Sequence, residues 1–184
     1  MTCRVARRPF DRLALEIPAE VLASTGQFDR FLLLDFDGVL HPAQAHAELG
    51  SVRPPLKEQP AAGLFIHTDQ LAEQLAPYAA VGLVVHSSWR MTHIDAEIRR
   101  LLGPVGDRLV GATDRGLDGE LSILQFARRL RLDPSMFRVL DDQPELLPHL
   151  VEADVVIACD PARGVSNQTA WARLEYWLSS SGSD

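Results

Sequence analysis

Cysteine is scarce in this sequence, and long hydrophobic runs are absent from it. Its two cysteines, Cys3 and Cys159, lie at opposite ends of the 184-residue chain, so they provide neither a disulfide framework nor the close spacing of a metal site. No apolar run is long enough to span a membrane, and no apolar signal-peptide core follows the basic first residues. These absences predict a cytoplasmic protein without a membrane partner.

Lysine is almost missing as well, since Lys57 is the only lysine and all other basic residues are arginines. This bias is typical of a GC-rich bacterial genome. The 18 basic and 25 acidic residues give a net charge of −7, which argues against a broad nucleic-acid-binding surface. A basic arm near the N terminus could contact an anionic partner, although a solvated segment is the simpler interpretation. Its arginines are Arg4, Arg7, Arg8 and Arg12.

The overall composition is that of an ordinary globular protein, with 46% hydrophobic and 23% charged residues. Residues 1–28 show weak periodicity and predict an extension, whereas residues 29–184 predict a single domain. In this domain, short apolar runs typical of buried strands alternate with helical patterns. The runs are FLLLDF (31–36), GLVVHS (82–87), RLVGAT (108–113), FRVLDD (137–142) and DVVIAC (154–159). The alternation predicts an α/β fold, a doubly wound parallel sheet with helices on both faces.

Helical patterns fill the intervals between these runs. One helix is predicted over residues 68–77 with its first residue as N-cap, and another after a capping-box pattern at residues 92–95. Further helices are predicted over residues 119–132 and after a cap at Ser166. By contrast, residues 41–63 contain four prolines and two glycines, which predict a long irregular loop.

Polar side chains follow three of the predicted strands, at the edge where doubly wound sheets bind their ligands. Paired carboxylates repel each other, and a hard cation such as Mg²⁺ relieves the repulsion. A carboxylate can also attack phosphorus and form an aspartyl-phosphate. The polar pairs are Asp35 and Asp37, Ser87 and Ser88, and Asp141 and Asp142. The sequence therefore points to a magnesium site suited to phosphoryl transfer.

Three segments resemble motifs of the haloacid dehalogenase (HAD) superfamily of phosphohydrolases, in the order that the superfamily has them. They are LLLDFDGVL, LVVHSSWR and RVLDDQPE, and the resemblance covers roughly residues 29–178. It implies a Rossmann-like core and a Mg²⁺-dependent phosphatase. By this resemblance Asp35 is the nucleophile, and Asp37 is the acid that protonates the leaving oxygen and later activates water. The backbone carbonyl of Asp37 would also bind the metal.

The resemblance assigns roles to the other strand ends too. Ser87, with Ser88 as the alternative, would hydrogen-bond a phosphoryl oxygen. Asp142 would bind Mg²⁺ directly or through water, supported by Asp141. Glu145 would be a further acid near the metal.

The third motif of the superfamily has no match here. The superfamily places a basic residue between its second and fourth motifs to neutralise the phosphoryl group, whereas Lys57 lies before the second motif. In relatives with a similar SSWR segment, a basic residue directly precedes a Gly-Glu helix start, and here Asp118 holds that position. Arg115 and Arg90 are the candidate substitutes for phosphate binding.

The spacing between motifs leaves room for a minimal cap only, so the resemblance implies an open site. An open site admits a small phosphate ester or the phosphorylated end of a macromolecule. The SSWR segment is similar to HAD domains linked with RNA repair, which keeps a nucleic-acid phosphate among the possible substrates although the net charge disfavours it.

Two other functions fit part of the pattern. The missing lysine and the open loop fit a HAD-like module that binds a phosphate or a partner without catalysis. A phospho-acceptor receiver domain has the same sheet and acids, but receivers place the doubled acid on the first strand, and here it comes last.

Each motif also has a simpler structural explanation. Asp-Gly is a common turn pair, and serines and acids after strands often cap helices. Trp89 fits core packing better than ligand binding. His41 and His46 could be a metal pair, but their spacing in a proline-rich segment is poor evidence for one.

Overall fold

A computed structural model describes residues 26–49 and 55–180 of the chain. Most of the predicted extension, with its arginine arm and Cys3, lies outside the described residues. Phe28 falls within that predicted extension, yet it packs against the apolar core. Among the described helices, none has the length and apolar character needed to cross a membrane.

Five parallel strands form one sheet in the order β3-β2-β1-β4-β5. The strands are β1 (Arg30–Leu34), β2 (Val81–Val85), β3 (Leu109–Ala112), β4 (Phe137–Asp141) and β5 (Val156–Ala158). The chain builds outward from β1 in one direction through β2 and β3, and then returns to the other side of β1 for β4 and β5. The strand order therefore reverses at β1, which makes its carboxyl end the expected ligand site of a doubly wound sheet.

Helices cover both faces of the sheet, as predicted. The helices are α1 (Ala43–Leu49), α2 (Thr68–Leu75), α3 (Asp95–Leu101), α4 (Gly119–Arg129), α5 (Pro148–Glu152) and α6 (Gln168–Ser179). Short 3₁₀ turns lie at Leu56–Glu58, Pro60–Ala62, Ser88–Met91, Gly103–Arg108 and Pro144–Leu146. The described residues contain no large cap domain, and the fold is a Rossmann-like α/β core.

The central strand explains why the apolar runs are continuous. Leu32 and Leu34 of β1 face a core layer built with α2, α3 and α6, whereas Phe31 and Leu33 face a second layer built with α4 and α5. Successive side chains of a strand point to opposite faces, so a strand covered on both faces must be apolar at every position.

The prediction of an irregular loop over residues 41–63 is wrong in its first part, where α1 forms. The helix sequence, AQAHAEL, consists mainly of strong helix formers and directly follows Pro42. The prolines of this segment flank the helix instead of interrupting it. This difference matters for the site, because α1 carries His46.

Helix boundaries differ from the predicted ones by one to three residues. Asn167, not Ser166, caps α6, since its Oδ1 accepts from the N–H groups of Thr169 and Ala170 at 2.9 and 3.3 Å. Thr68 is the first residue of α2 instead of its cap. In α3, which begins at Asp95, the side chain of Glu97 accepts from the N–H of Ile94. Helix α4 ends at Arg129, three residues before the predicted end.

Candidate active site

The candidate site lies at the carboxyl ends of β1, β2 and β4. The chain leaves β1 at Asp35, whose N–H donates to the Leu140 carbonyl of β4 at 3.0 Å. On the other side, the N–H groups of His86 and Ser87 donate to the Leu34 carbonyl at 3.0 and 3.3 Å. These bonds extend the parallel pairing past the strand ends and fix the starting points of three polar loops.

Three carboxylates converge at this edge, from Asp35 after β1 and from Asp141 and Asp142 at the end of β4. One oxygen of each lies within 4.8 Å of the others, and we call this group the three-acid cluster. Asp142 Oδ1 is buried and has no hydrogen-bond partner among the residues that the structure describes. Converging carboxylate oxygens, one of them without a donor, fit a hard divalent cation such as Mg²⁺.

Burial and repulsion favour the protonated forms of these acids. Burial raises the pKa of Asp35 to about 7, the charge of Asp141 adds to the rise, and a hydrogen bond with Ser87 opposes it. Burial likewise raises the pKa of Asp141 to about 6. It also raises the pKa of Asp142, and the charge of Glu145 contributes at both positions. Repulsion among the ionised carboxylates therefore destabilises the three-acid cluster until a cation binds.

Gly38 gives Asp142 the room to reach the cluster. Its φ of +70° lies in the left-handed region that glycine tolerates best. A Cβ built on Gly38 would overlap the carboxylate of Asp142. The glycine of the first motif is therefore required for space as well as for backbone conformation.

The carboxylate of Asp37 is not part of the three-acid cluster, and ring nitrogens of three other side chains surround it. His41 Nε2 lies 3.0 Å and His46 Nδ1 lies 2.8 Å from its Oδ1. Trp89 Nε1 donates to its Oδ2 at 2.9 Å. Burial raises the pKa of Asp37, but the hydrogen bonds from His41 and Trp89 and the charge of His46 outweigh it, so the pKa is lowered.

Sequence reasoning missed these donors. The sequence indicates at most a metal pair for His41 and His46, and it predicts core packing for Trp89. Trp89 does pack, because its ring lies edge-on to Phe36 and Phe65 in the core, but its indole N–H also binds Asp37. Two histidines close behind an Asp-x-Asp motif are the sequence signal that could have pointed to this arrangement.

The two predicted phosphate-binding serines lie in different environments. Ser87 is buried and hydrogen-bonded to the carboxylate of Asp35, while its Oγ also accepts from the N–H of Trp89 at 3.4 Å. Ser88 is exposed on the following 3₁₀ turn. The structure therefore brings Ser87 next to the predicted nucleophile, with Ser88 farther out.

Arg90 is buried, and its guanidinium binds backbone carbonyls. Nη1 donates to the carbonyls of His86 and Ser87, and Nη2 donates to the carbonyl of Leu117 at 2.8 Å. These bonds join the loop after β2 to the loop before α4. Arg90 therefore stabilises the two loops that border the site, and its Nη hydrogens point at carbonyl oxygens.

Arg115 lies on the surface with its side chain 49% exposed. Its Nη2 donates to the His93 carbonyl at 3.2 Å and faces the carboxylate of Asp95 at 3.4 Å. Such an exposed pair is weak, so the side chain can exchange partners at little cost.

The different environments of the two arginines predict different effects of the same substitution. Arg90→Lys is expected to lower the melting temperature by about 5 °C, because the compact ammonium group cannot span the carbonyls that the planar guanidinium reaches with its two Nη atoms, and about 2 kcal/mol is lost. Arg115→Lys, the matched control, should change it by less than about 1 °C. Thermal unfolding measures both. A stable Arg90→Lys protein with weakened phosphate binding would instead assign Arg90 to the phosphoryl group.

Two other buried groups near the cluster stay uncharged. Burial lowers the pKa of His86 to about 3, so its 3.7 Å approach to Asp141 is not an ion pair at neutral pH. Burial, with the charges of the neighbouring acids, raises the pKa of the Cys159 thiol to about 12. The thiol is therefore unsuited to act as a nucleophile.

The comparisons with known proteins agree with this geometry. Residues 31–170 match the family model described as the HAD domain in Swiss Army Knife RNA repair proteins. Comparison with curated proteins gave no match. The matched range extends from β1 into α6 and includes every residue of the candidate site. The chain therefore belongs to this family of HAD domains, which confirms the resemblance found in the three motifs.

Proposed function

We propose that this protein is a Mg²⁺-dependent phosphatase that forms an aspartyl-phosphate on Asp35. The observation that supports this most directly is the three-acid cluster at the point where the strand order reverses, with Ser87 bonded to Asp35. Asp35, Asp141 and Asp142 would hold Mg²⁺, with the backbone carbonyl of Asp37 as a further ligand. The bound ion supplies positive charge near the phosphoryl oxygens and favours the ionised form of the nucleophile.

The first half of the reaction transfers the phosphoryl group to the protein. A carboxylate oxygen of Asp35 attacks phosphorus, and the bond between phosphorus and the substrate oxygen breaks. That oxygen takes a proton from Asp37 and leaves as an alcohol. The Ser87 hydroxyl donates to a phosphoryl oxygen and so orients the group, with Ser88 at the exposed side.

The second half restores the protein. Asp37, now ionised, takes a proton from a water molecule as the water oxygen attacks phosphorus. The bond between phosphorus and the Asp35 oxygen breaks, and inorganic phosphate leaves. Asp35 is ionised again and Asp37 is protonated again, so the cycle balances in atoms and charge.

Arginine must replace the usual lysine in this chain. Arg90 lies within electrostatic range of Asp35, whose charge acts on its pKa. Arg90 can therefore provide positive potential while its two Nη atoms donate to backbone carbonyls. Arg115 can add a direct contact if it leaves Asp95, as its exposure permits.

The substrate we favour is the phosphorylated end of an RNA strand. The family description names RNA repair proteins, and the described residues place no large domain over the site, so a chain end can enter. The net charge of −7 argues against a long contact with the strand. Recognition would then be confined to the terminal nucleotides, and a small phosphate ester remains the alternative substrate.

The test is phosphate release from an aryl phosphate and from RNA oligonucleotides with a 5′- or a 3′-phosphate. We expect release with Mg²⁺, none with a chelator, and recovery when Mg²⁺ is returned. Borohydride added during turnover should reduce the aspartyl-phosphate, and mass spectrometry should find homoserine at position 35. A higher kcat/KM for one RNA end than for the aryl phosphate would support the RNA substrate.

Other outcomes would favour the alternatives. Phosphate binding without any turnover over the whole panel would indicate the binding module. Turnover without trapped homoserine would indicate direct attack by water and would exclude Asp35 as a nucleophile.

A further inference from the structure

Among the described residues, the hydrogen bonds and the histidine ion pair of Asp37 leave one of its acceptor positions open. A carboxylate oxygen has two acceptor directions. On Oδ1 one is taken by the hydrogen bond with His41 Nε2 at 3.0 Å, and His46 Nδ1 lies 2.8 Å from the same oxygen, where a protonated His46 forms an ion pair. On Oδ2 one is taken, by Trp89 Nε1 at 2.9 Å. The remaining direction on Oδ2 is the place where a proton can reside without breaking one of these bonds.

The chemistry of the donors supports this count. Trp89 can only donate, so Oδ2 must be the acceptor in that bond. The side chain of His41 is fully buried, and within residues 26–49 and 55–180 its Nδ1 has no hydrogen-bond partner. A hydrogen on Nδ1 would therefore be buried and unpaired, so the hydrogen of a neutral His41 belongs on Nε2, facing Asp37.

The three donors are not equally fixed. His41 contacts the rings of Phe65 and Trp89 inside the core. His46 comes from α1, a helix without a fully buried residue, and its side chain is 25% exposed. His46 is therefore the donor that can be altered with the least damage to the fold.

We propose that His46 is a positioning residue which, together with His41, occupies Oδ1 of Asp37 and so directs proton transfer to the leaving oxygen through Oδ2. This inference rests on the proposed phosphatase function. Helix α1 therefore does not only connect the first motif to the next segment, because it also carries the residue that positions Asp37 for proton donation.

The position of the Asp37 proton should affect the hydrolysis of alkyl phosphates and of activated aryl phosphates differently. An alcohol leaves only if it is protonated, whereas a strongly acidic phenol leaves as its anion without help. If the proton of Asp37 does not face the leaving oxygen, the hydrolysis of alkyl phosphates, including nucleotides, becomes slower. The hydrolysis of an activated aryl phosphate should hardly change. A general loss of structure would slow both.

The experiment compares His46→Leu with His46→Asn on dinitrophenyl phosphate and on a ribonucleoside 5′-monophosphate. Asparagine is the matched variant, because its Nδ2 stands the same number of bonds from Cβ as the Nδ1 of histidine. We expect His46→Leu to lower kcat for the nucleotide by about 10- to 100-fold, and kcat for the aryl ester by less than about 3-fold. KM should stay within about 3-fold for both substrates.

His46→Asn should recover most of the lost kcat for the nucleotide. Equal losses on both substrates, no loss on the nucleotide, or no recovery with asparagine would overturn the proposal. Trp89→Phe, which removes the donor to Oδ2 and keeps an aromatic ring, provides a second variant if His46→Leu does not fold. Failure of the phosphatase function itself would look different, because the wild type would then hydrolyse neither ester.

Discussion

Asp35→Asn is expected to lower phosphate release by about 10³-fold or more and, in the same protein, to raise the melting temperature. Turnover is lost because an amide cannot form the aspartyl-phosphate. Stability is gained because the substitution removes a carboxylate whose pKa is raised to about 7 by burial and by the charge of Asp141. Without divalent cations at pH 8, we expect a rise of about 5 °C, which corresponds to about 2 kcal/mol.

The stability of the metal-free wild type is expected to decrease as the pH rises. The ordinary pKa of Asp35 is 3.8 and its folded value is about 7, so between these values the folded state binds more protons than the unfolded chain. The free energy of unfolding therefore falls as the pH rises from about 4 to about 7. Asp141, with a pKa raised to about 6 by burial, acts in the same direction.

Mg²⁺ should reverse this loss, because it binds the ionised cluster of the folded state. Its effect on the melting temperature is expected to be large at pH 8 and small at pH 5. Circular dichroism melts at both pH values, with chelator or with Mg²⁺, measure it. Glu175→Gln is the matched control, since it removes one exposed carboxylate far along α6. An Asp35→Asn protein that melts below the wild type would contradict this account.

The strands and the acidic site residues could be predicted because a few local rules determine them. A strand covered on both faces needs an apolar residue at every position, as the 31–36 run shows. Acids such as Asp35 and Asp141 at the ends of such runs must meet if the strands are parallel and adjacent. The alternation of strands and helices predicts parallel strands, whereas the order β3-β2-β1-β4-β5 is known only from the structure.

The partners of Asp37 could not be predicted in this way, because they depend on tertiary contacts. His46 reaches the site only because α1 forms in a segment whose prolines predicted a loop. The sequence predicts Arg90 as a phosphate ligand, but it does not show that three carbonyls accept hydrogen bonds from its guanidinium. Charge and spacing identify candidates, but only the folded chain shows which hydrogen bonds are already used.

Gly38→Ala is expected to lower turnover by about 10²-fold and to raise the Mg²⁺ concentration needed for half-maximal activity by at least about 10-fold. The new Cβ would overlap the carboxylate of Asp142, so Asp142 must move out of the three-acid cluster. A left-handed backbone at φ +70° adds about 1 kcal/mol of strain. Titrating activity and the melting temperature against Mg²⁺ measures both effects.

The Gly63→Ala variant distinguishes the effect of steric overlap with Asp142 from the effect of backbone strain. Gly63 also has a left-handed φ, of +80°, but an added Cβ would meet only the Cβ of Ala45, at the ordinary distance of 3.9 Å. Both alanine variants should therefore lose about 3 °C of melting temperature through strain. Only Gly38→Ala should show the shifted Mg²⁺ dependence. If both variants shifted it equally, backbone strain would account for the effect, and the role of Gly38 in placing Asp142 would be refuted.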